Sequence, residues 1–420
     1  VESSKVTGRC GVLESSMKTE SSVSRAGWTN QRALLLSAIF VVAACTESDA
    51  PVSAGLPGQA IPTLSDGNRG RFLLGRALFE RIATQEEGLG PLYNQDRCSS
   101  CHDSPTVGGG SSASVRVLKA TRFVDGRCDR LEEFGGDNIQ LRVTELFAAH
   151  GFGPEGIPPE ATDSGYVTAP SLFGLGLIEA IPDSALLSIA DPEDRDGDGI
   201  SGRLPRTADG RFARFGRKGD AASVEDFVES ALRFELGFTT PRHPEEEGRN
   251  GVPVPQVVDP MPDPEIDAET LGLLSDYVRF LGAPAPEHLA DGPAADSVSQ
   301  GEVLFDQVGC TRCHRPELRT GNAEEPALRN QVVRLYSDLL LHDFGNSEGD
   351  LCGLDAAPGE FRTAPLWGLR YREHFLHDGS VMDLGEAIDR HSGEAILARV
   401  RFRVLSLQAQ AMVLRFLRSL

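Results

Sequence analysis

The sequence contains the spacing Cys-x-x-Cys-His twice, and this feature limits the possible folds more than any other. The two copies are Cys98-Ser-Ser-Cys101-His102 and Cys310-Thr-Arg-Cys313-His314. Two thiols at this spacing can bond the two vinyl groups of a haem as thioethers, and the following histidine can then bind the iron. The chain is therefore expected to carry two covalently attached c-type haems, one on each motif.

Zinc is the main alternative for this spacing, because Cys-x-x-Cys pairs also bind zinc. Haem is favoured because a histidine follows immediately in both copies and because the N-terminus indicates export to the compartment where c-type haem is attached. A thioredoxin-like dithiol is also disfavoured, since no alternation of strands and helices surrounds either motif.

The N-terminal residues predict an exported lipoprotein. The twelve-residue apolar run 33–44 is shorter than the roughly 20 residues of a transmembrane helix and is typical of a signal peptide. It ends in Val-Ala-Ala-Cys45, which resembles a bacterial lipobox, so 1–44 are predicted as a signal peptide and Cys45 as the lipidated residue. Met17 is the expected start. A plain secretory signal cut near Ala44 is the alternative.

The residues after Cys45 are small and polar and predict a flexible tether over 45–62. The expected location is the periplasm, with a lipid anchor in the outer membrane. The chain carries 41 Lys plus Arg against 62 Asp plus Glu, and its net charge of −21 disfavours nucleic acids and anionic membrane surfaces as partners. Membrane contact is expected only through the N-terminal anchor.

The segments around the two motifs repeat in the same order. Gly-x-x-Leu-Phe precedes each Cys pair, at 75–79 and 301–305, and an Ala-Pro loop with an aromatic residue and Gly-Leu follows it, at 169–175 and 364–369. Each half ends in a predicted amphipathic helix, over 268–281 and 405–417, that closes on Arg-Phe-Leu. The predicted fold class is mainly α, with two cytochrome c-like haem domains with long loops, over 63–283 and 284–420.

The composition agrees with haem-filled cores. Aromatic residues make up only 6% of the chain, while Gly and Pro number 45 and 26. Many loops must therefore surround cores that lack bulky side chains, and a haem is a large apolar disc that can replace them.

Several longer segments resemble the bacterial di-haem cytochrome c peroxidase and MauG superfamily. They are 361–369 (FRTAPLWGL), 375–380 (FLHDGS) and Leu384. Segments 88–94, 174–183, 341–345 and 391–394 are more closely similar to the di-haem oxidoreductase branch, whose members are often labelled thiol oxidoreductases. The resemblance covers roughly 65–420. It implies two haems of unequal character, one that relays electrons and one that meets the substrate.

The sixth ligands of the two irons decide between catalysis and electron transfer, because an iron with only its proximal histidine is open to substrate. In the peroxidases of the resembled superfamily, the residue fourteen positions after the His of His-Asp-Gly-Ser ligates the relay haem, and here it is His391. Met261, before the terminal helix of the first half, is the candidate sixth ligand of the first haem. His342 and His377 are expected to bond haem propionates or backbone.

If the first iron is instead open, peroxide chemistry needs an acid/base group beside it. The resemblance places Glu179 near the distal pocket, and Glu179 is the predicted catalytic residue. This half lacks the Trp-Asp-Gly-Arg segment of the peroxidases, which weakens the prediction of simple peroxidase activity.

Three further features have two interpretations each. Asp194, Asp196 and Asp198 alternate as in the first half of an EF-hand loop, but Pro205 replaces its final glutamate, so a weak calcium site and a solvated acidic loop both fit. Cys128 and Cys352 could form a disulfide or a redox-active thiol pair. Trp367 could bridge the haems or pack on a porphyrin as a core aromatic residue.

The leading hypothesis is a lipid-anchored di-haem c-type oxidoreductase. The haem of His314 and His391 exchanges electrons with a small donor or acceptor protein, and the haem of His102 performs the redox step on a small-molecule oxidant, first of all hydrogen peroxide. One alternative is a di-haem electron carrier with both irons six-coordinate. Another is a thiol oxidoreductase that acts on a thiol substrate through Cys128 or Cys352.

Overall fold

A computed structural model of the protein describes residues 55–112, 115–246, 248–345 and 350–420. The predicted signal peptide, Cys45 and the first part of the predicted tether, 45–54, lie outside the described residues. The described residues, with both motifs, belong to one compact unit. None of the helices in the described ranges is long and apolar enough to cross a membrane.

Ten α-helices form the framework of the described part. They are α1 (Asp66–Glu80), α2 (Glu145–Ala149), α3 (Leu175–Glu179), α4 (Asp183–Leu187), α5 (Val224–Leu236), α6 (Ala268–Phe280), α7 (Pro293–Gln307), α8 (Leu384–Asp389), α9 (Ile396–Arg403) and α10 (Leu407–Leu417). Local sequence fixes several ends. Ser223 and Asp226 form a reciprocal capping box at the start of α5, and Gly237 ends this helix with a φ of 71°.

Nine short strands lie in the connections between these helices. They are β1 (Leu92–Tyr93), β2 (Arg116–Val124), β3 (Arg127–Asp129), β4 (Arg142–Val143), β5 (Asp163–Thr168), β6 (Leu318–Arg319), β7 (Val332–Val333), β8 (Leu341–Asp343) and β9 (Glu360–Arg362). They form four antiparallel sheets, β1–β4, β3–β2–β5, β6–β7 and β8–β9, and Arg116 of β2 lies opposite Thr168 of β5. The predicted class is therefore confirmed for the helical framework, but "mainly α" omits these sheets.

The two predicted terminal helices are present as α6 and α10, within two residues of their predicted bounds. Helix α1 crosses α6, and α7 crosses α10, at a glycine in each pair. A Cβ on Gly75 would fall on the carbonyl oxygen of Leu273 and lie 2.9 Å from the Cβ of Tyr277. A Cβ on Gly301 would fall on the carbonyl oxygen of Met412. Each half is thus built around a crossing so close that it requires glycine.

The hydrophobic core does not divide at the predicted domain boundary, residue 283. The larger cluster of buried side chains contains residues of α1, α5 and α6, and it also contains Leu318, Val333 and Leu340 from the second half. A smaller cluster belongs to the second half alone and includes Phe305, Phe416 and other residues around the second motif. Each half therefore has its own helix crossing, while one continuous core joins them.

Residues 55–62 differ from the predicted tether. Ile61 is buried, and its backbone N–H donates to the carbonyl oxygen of Phe280 at 3.0 Å. Gly282 donates in the same way to Gln59 at 2.9 Å. These residues form part of the fold because Ile61 joins the larger core, so the tether prediction is wrong for 55–62.

The close helix crossing predicts how a methyl group added at its glycine changes the stability of the protein. Gly301→Ala should destabilise the protein by about 2 kcal/mol or more, because the new Cβ meets backbone that cannot rotate away. Gly70→Ala is the matched control, since an added Cβ on this α1 residue meets nothing within 4 Å and should stabilise the helix by about 0.5–1 kcal/mol. Thermal or denaturant unfolding measures both, and equal effects would contradict the close crossing.

Candidate functional site

The two motif histidines are held in the same way. Each motif forms a short 3-10 turn, Cys98–Ser100 after α1 and Cys310–Arg312 after α7. The His102 Nδ1 lies 2.9 Å from the carbonyl oxygen of Gly109, and the His314 Nδ1 lies 3.0 Å from that of Tyr336. A backbone acceptor at Nδ1 orients the ring and leaves Nε2 with its lone pair for a metal.

Aromatic residues of the crossing helices pack against these histidines. The ring of Phe79 lies 6.0 Å from that of His102, and the ring of Phe305 lies 6.2 Å from that of His314. Phe305 in turn packs on Phe416 of α10, with 5.4 Å between the ring centres. The repeated Leu-Phe and Arg-Phe-Leu segments therefore connect each crossing to its histidine.

The four motif cysteines form no disulfide within the described residues. Burial raises the pKa of Cys98 to about 12. Burial, and to a smaller extent the charge of Cys313, also raises the pKa of Cys310 to about 12. Burial and the nearby Glu235 carboxylate raise the pKa of Cys101 to about 12. Thiols with such pKa values are poor redox nucleophiles, which agrees with a role as attachment points.

A cavity of about 470 Å³ lies beside the second motif. Its lining includes Cys310, Cys313 and His314 together with residues of both halves, among them Pro170, Leu175, Phe215, Arg217, Phe344, Arg362, Trp367, Arg372 and His391. Both repeated Ala-Pro loops contribute, and a Cβ on Gly174 would lie 2.6 Å from the Trp367 ring, so Trp367 packs where the halves meet.

His391 and His314 line this same cavity. The His391 Nδ1 lies 2.8 Å from the carbonyl oxygen of Ala387, and the ring packs edge-on against Phe344 at 4.7 Å. Burial, and then the neighbouring His391, lower the pKa of His314 to about 4, and burial also lowers the pKa of His391. Both rings are therefore neutral at pH 7 and keep an Nε2 lone pair.

These groups fit a haem. Two cysteines, two neutral imidazoles with free Nε2 atoms and a cavity of about 470 Å³ are the donors and the space that a covalent six-coordinate haem needs. Cys310 and Cys313 would hold its vinyl carbons, and His314 and His391 its iron.

Carboxylate groups lie beside the other two histidines of the cavity. The His342 Nδ1 lies 2.8 Å from Glu394 Oε2, and its Nε2 lies 2.8 Å from Asp338 Oδ2. The His377 Nε2 lies 3.4 Å from Asp350 Oδ1, and its ring stacks on Phe361. Side-chain carboxylates, rather than the expected propionates or backbone, are thus the partners of His342, and the expectation for His377 stays a prediction.

His342 is held as a cation. Burial opposes its protonation, but hydrogen bonds with Asp338, Cys313 and Glu394 outweigh burial and raise its pKa to about 12. The proton is kept in the folded protein and lost near pH 6.5 in the unfolded chain. The stabilisation from this shift is therefore complete below about pH 6.5 and declines as the pH rises towards 12.

A pH series tests this charge state. As the pH rises from 7 to 9, the stabilising contribution of His342 should shrink, and the free energy of unfolding should fall by up to about 1.4 kcal/mol per pH unit. His342→Gln should be less stable at pH 7 and should lack this slope, because glutamine does not titrate. His150→Gln is the control, since His150 is exposed and bonds only its own helix. Denaturant unfolding gives the slopes, and an unchanged slope in His342→Gln would contradict the assignment.

The structure corrects the prediction for Glu179. Its Oε1 accepts from the backbone N–H of Val224 at 2.7 Å, and its Oε2 accepts from Arg279 Nε at 2.6 Å. Both oxygens are therefore used to join α3 to α5 and α6. Glu179 therefore has a structural role in these contacts.

Met261 lies half-buried in the loop before α6, three residues after the buried Val258. Its backbone N–H bonds the carboxylate of Asp259, whose pKa burial raises. The role of Met261 as sixth ligand of the first haem stays a prediction.

The structure brings together the three aspartates of the predicted calcium loop. One carboxylate oxygen from each of Asp194, Asp196 and Asp198 lies within 4.8 Å of the others. Asp194 also accepts from the backbone N–H of Gly199 at 3.1 Å, and Asp198 pairs with Arg312 of the second motif. The loop therefore contacts the haem motif, and calcium binding stays a prediction.

Cys128 and Cys352 form a disulfide, with 5.7 Å between their Cα atoms. The sequence allowed either a disulfide or a redox-active thiol pair, and the structure contains the disulfide. It joins β3 in the first half to the segment before β9 in the second, across 224 residues. Cys352 is 3% exposed, so a thiol substrate could not reach it in this state.

The disulfide predicts a separation of stability from activity. Cys128→Ser with Cys352→Ser should destabilise the protein by about 2–5 kcal/mol, because a long loop is no longer closed in the unfolded chain. Turnover below the unfolding temperature should be unchanged. The wild-type protein treated with a reductant is the control. Loss of turnover in a folded double variant would instead favour a thiol oxidoreductase.

Sequence reasoning missed several charged groups of the site. Glu235 of α5 is held by Asn138 Nδ2 at 2.8 Å and Asn94 Nδ2 at 3.2 Å, and burial raises its pKa. Arg217, Arg362 and Arg372 line the cavity. No motif surrounds these residues, because segments far apart in the chain bring them together.

Residues 162–420 match the family described as "Di-haem oxidoreductase, putative peroxidase". The chain is similar to a MauG-like protein associated with microbial copper homeostasis, with 16% identity over 89% of this chain and 95% of that chain and a TM-score of 0.40. It is also similar to the diheme peroxidase BthA from Burkholderia thailandensis, with 14% identity over 88% and 95% of the two chains and a TM-score of 0.40.

Hydrazine synthase from Kuenenia stuttgartiensis is a third similar structure, with 13% identity over 93% of this chain and 100% of that chain and a TM-score of 0.37. No curated protein matches the chain.

Proposed function

The chain belongs to the di-haem oxidoreductase family, and we propose that it is a c-type redox enzyme whose second haem relays electrons and whose first haem meets a small-molecule oxidant. The observation that carries the proposal is the pair His314 and His391. Both rings line one cavity, and each donates a hydrogen bond from Nδ1 to a backbone carbonyl oxygen while its Nε2 stays free. A haem held in this way would be six-coordinate and closed to substrate, as an electron relay requires.

Haem iron, when bound, supplies one-electron redox chemistry. The side chains of this protein orient the cofactor and exclude water from it. Phe305, Phe344 and Trp367 cover the second site with apolar surface, while His314 and His391 point from its walls. Two imidazole ligands should give this site a lower reduction potential than a methionine ligand would.

The first motif is the proposed place of substrate reduction. Reducing hydrogen peroxide to two molecules of water consumes two electrons and two protons. The electrons would come through the second site from a small donor protein. Glu179 is a poor candidate for the proton carrier because its carboxylate forms an ion pair with Arg279. The half-buried Glu235 is the better candidate, because the neutral amides of Asn138 and Asn94 hold its two oxygens and burial raises its pKa, so that it binds a proton more readily.

A di-haem electron carrier is the second candidate. The engagement of Glu179 favours it, because the predicted acid/base group of the first site is lost, and Met261 as a sixth ligand would complete it. The proposed location for either function is the periplasm, with Cys45 carrying a lipid anchor in the outer membrane. Small donor or acceptor proteins are the proposed partners.

Electron paramagnetic resonance of the oxidised and half-reduced protein tests the division of roles. We expect one low-spin haem that peroxide leaves unchanged and one high-spin ferric haem that peroxide alters. His391→Ala should convert the low-spin haem to high spin, because its sixth ligand is lost. His150→Ala, at an exposed position, is the control and should leave both signals unchanged.

Two outcomes would contradict the proposal. Two low-spin haems that do not respond to peroxide would mean that both irons are closed, and would favour the electron carrier. An unchanged spectrum in His391→Ala would remove His391 as the ligand.

A further inference from the structure

Three arginines that the proposed function does not use line the cavity of the second motif. Arg217 lies between α4 and α5, Arg362 is the last residue of β9, and Arg372 lies between β9 and α8. The cationic group is therefore assembled from both halves of the chain. All three side chains are half-buried and line the cavity, and Arg217 and Arg372 also line a smaller neighbouring cavity.

Their hydrogen-bond partners are neutral. Arg217 Nη2 donates to the carbonyl oxygen and to the hydroxyl oxygen of Thr168, both at 2.8 Å. Arg362 donates from Nε to the carbonyl oxygen of Gly216 at 2.8 Å and from Nη1 to that of Thr363 at 3.1 Å. For the Arg372 guanidinium, burial is the one influence on its pKa, and no acceptor occurs among the described residues.

The carboxylates near this cluster are already engaged. Asp378 accepts from the backbone N–H of Ser380 at 3.0 Å. Asp338 holds His342 Nε2 at 2.8 Å and accepts from the backbone N–H of Leu340 at 3.0 Å. Within the described residues, none of the three arginines has a carboxylate within ion-pair distance, and Asp378 and Asp338 offset the charges of Arg217 and Arg362 only in part, from farther away.

The arginines also repel one another. Burial, followed by the charges of Arg372 and Arg362, lowers the pKa of Arg217 to about 9. Burial also lowers the pKa of Arg362 to about 10, and the charge of Arg372 contributes to this decrease. Neighbouring cations that are shielded from water are costly unless an anion binds them. The cavity is therefore built to receive a ligand with at least one negative group.

We infer that Arg217, Arg362 and Arg372 bind the propionate carboxylates of the second haem. The inference rests on the proposed function only in requiring a haem on Cys310 and Cys313. A planar guanidinium matches the geometry of a carboxylate and can bond both of its oxygens. Two propionates carry two negative charges against three positive ones, so the local charge stays positive and favours the reduced haem. The three arginines thus raise the reduction potential of this haem and offset part of the decrease that two imidazole ligands cause.

Potentiometric titration of the holo-protein tests the inference, with the low-spin haem followed by its absorbance. Arg372→Gln should shift the reduction equilibrium of this haem about tenfold towards the oxidised form, which is about 59 mV for a one-electron couple. Arg372→Lys keeps the charge and should stay near the wild type. Arg401→Gln is the matched control, because Arg401 also borders the cavity but is exposed to solvent.

A second variant keeps the test decisive if Arg372→Gln does not accumulate. Arg217→Gln should shift the equilibrium in the same direction, although Thr168 then loses its donor. A shift in Arg372→Gln no larger than that in Arg401→Gln would overturn the inference.

A free anion is the other source of a carboxylate for this cluster. Titrating the wild type with acetate distinguishes the two, because propionates that are part of the haem leave the potential independent of acetate. A potential that changes with acetate in the wild type but not in Arg372→Gln would overturn the propionate assignment. The intact mass of the same samples shows separately whether a second haem is attached, so a failure of the proposed function is recognised independently.

Discussion

The contact on which both halves depend is a helix crossing that only glycine permits. At Gly75 and at Gly301, the position of a Cβ is taken by a carbonyl oxygen of the partner helix. This approach places Tyr277 and Phe416 directly against Phe79 and Phe305, which in turn pack on the motif histidines. The orientation of each candidate iron ligand therefore follows from backbone packing, and the chain uses the same solution twice.

The second half adds a cavity to this arrangement. Its own apolar cluster is small, and the space beside Cys310 and Cys313 is enclosed by residues of both halves. Neutral imidazoles line this space together with three guanidinium groups that have no carboxylate partner among the described residues. A haem would suit both kinds of group, because nitrogen atoms bind its iron and cations can bind its propionates.

Local patterns explain what could be predicted from the sequence. The motifs, the Gly-x-x-Leu-Phe segments and the terminal helices are short-range signals, and all of them correspond to equivalent positions in the two halves. The packing of Ile61, the bonds of Glu179 and the cluster of Arg217, Arg362 and Arg372 could not be predicted, because each depends on contacts between residues far apart in the chain. The sequence could not decide whether Cys128 and Cys352 form a disulfide for the same reason, since they are 224 residues apart.

Covalent attachment of one haem to each motif is the central claim, and mass analysis tests it most directly. The protein should be expressed in a bacterium that attaches c-type haem, and its intact mass, peptide map and pyridine haemochrome spectrum recorded. The account predicts two haems per chain, on the peptides that contain Cys98 with Cys101 and Cys310 with Cys313. Free thiols at either pair, or zinc in place of haem, would contradict it.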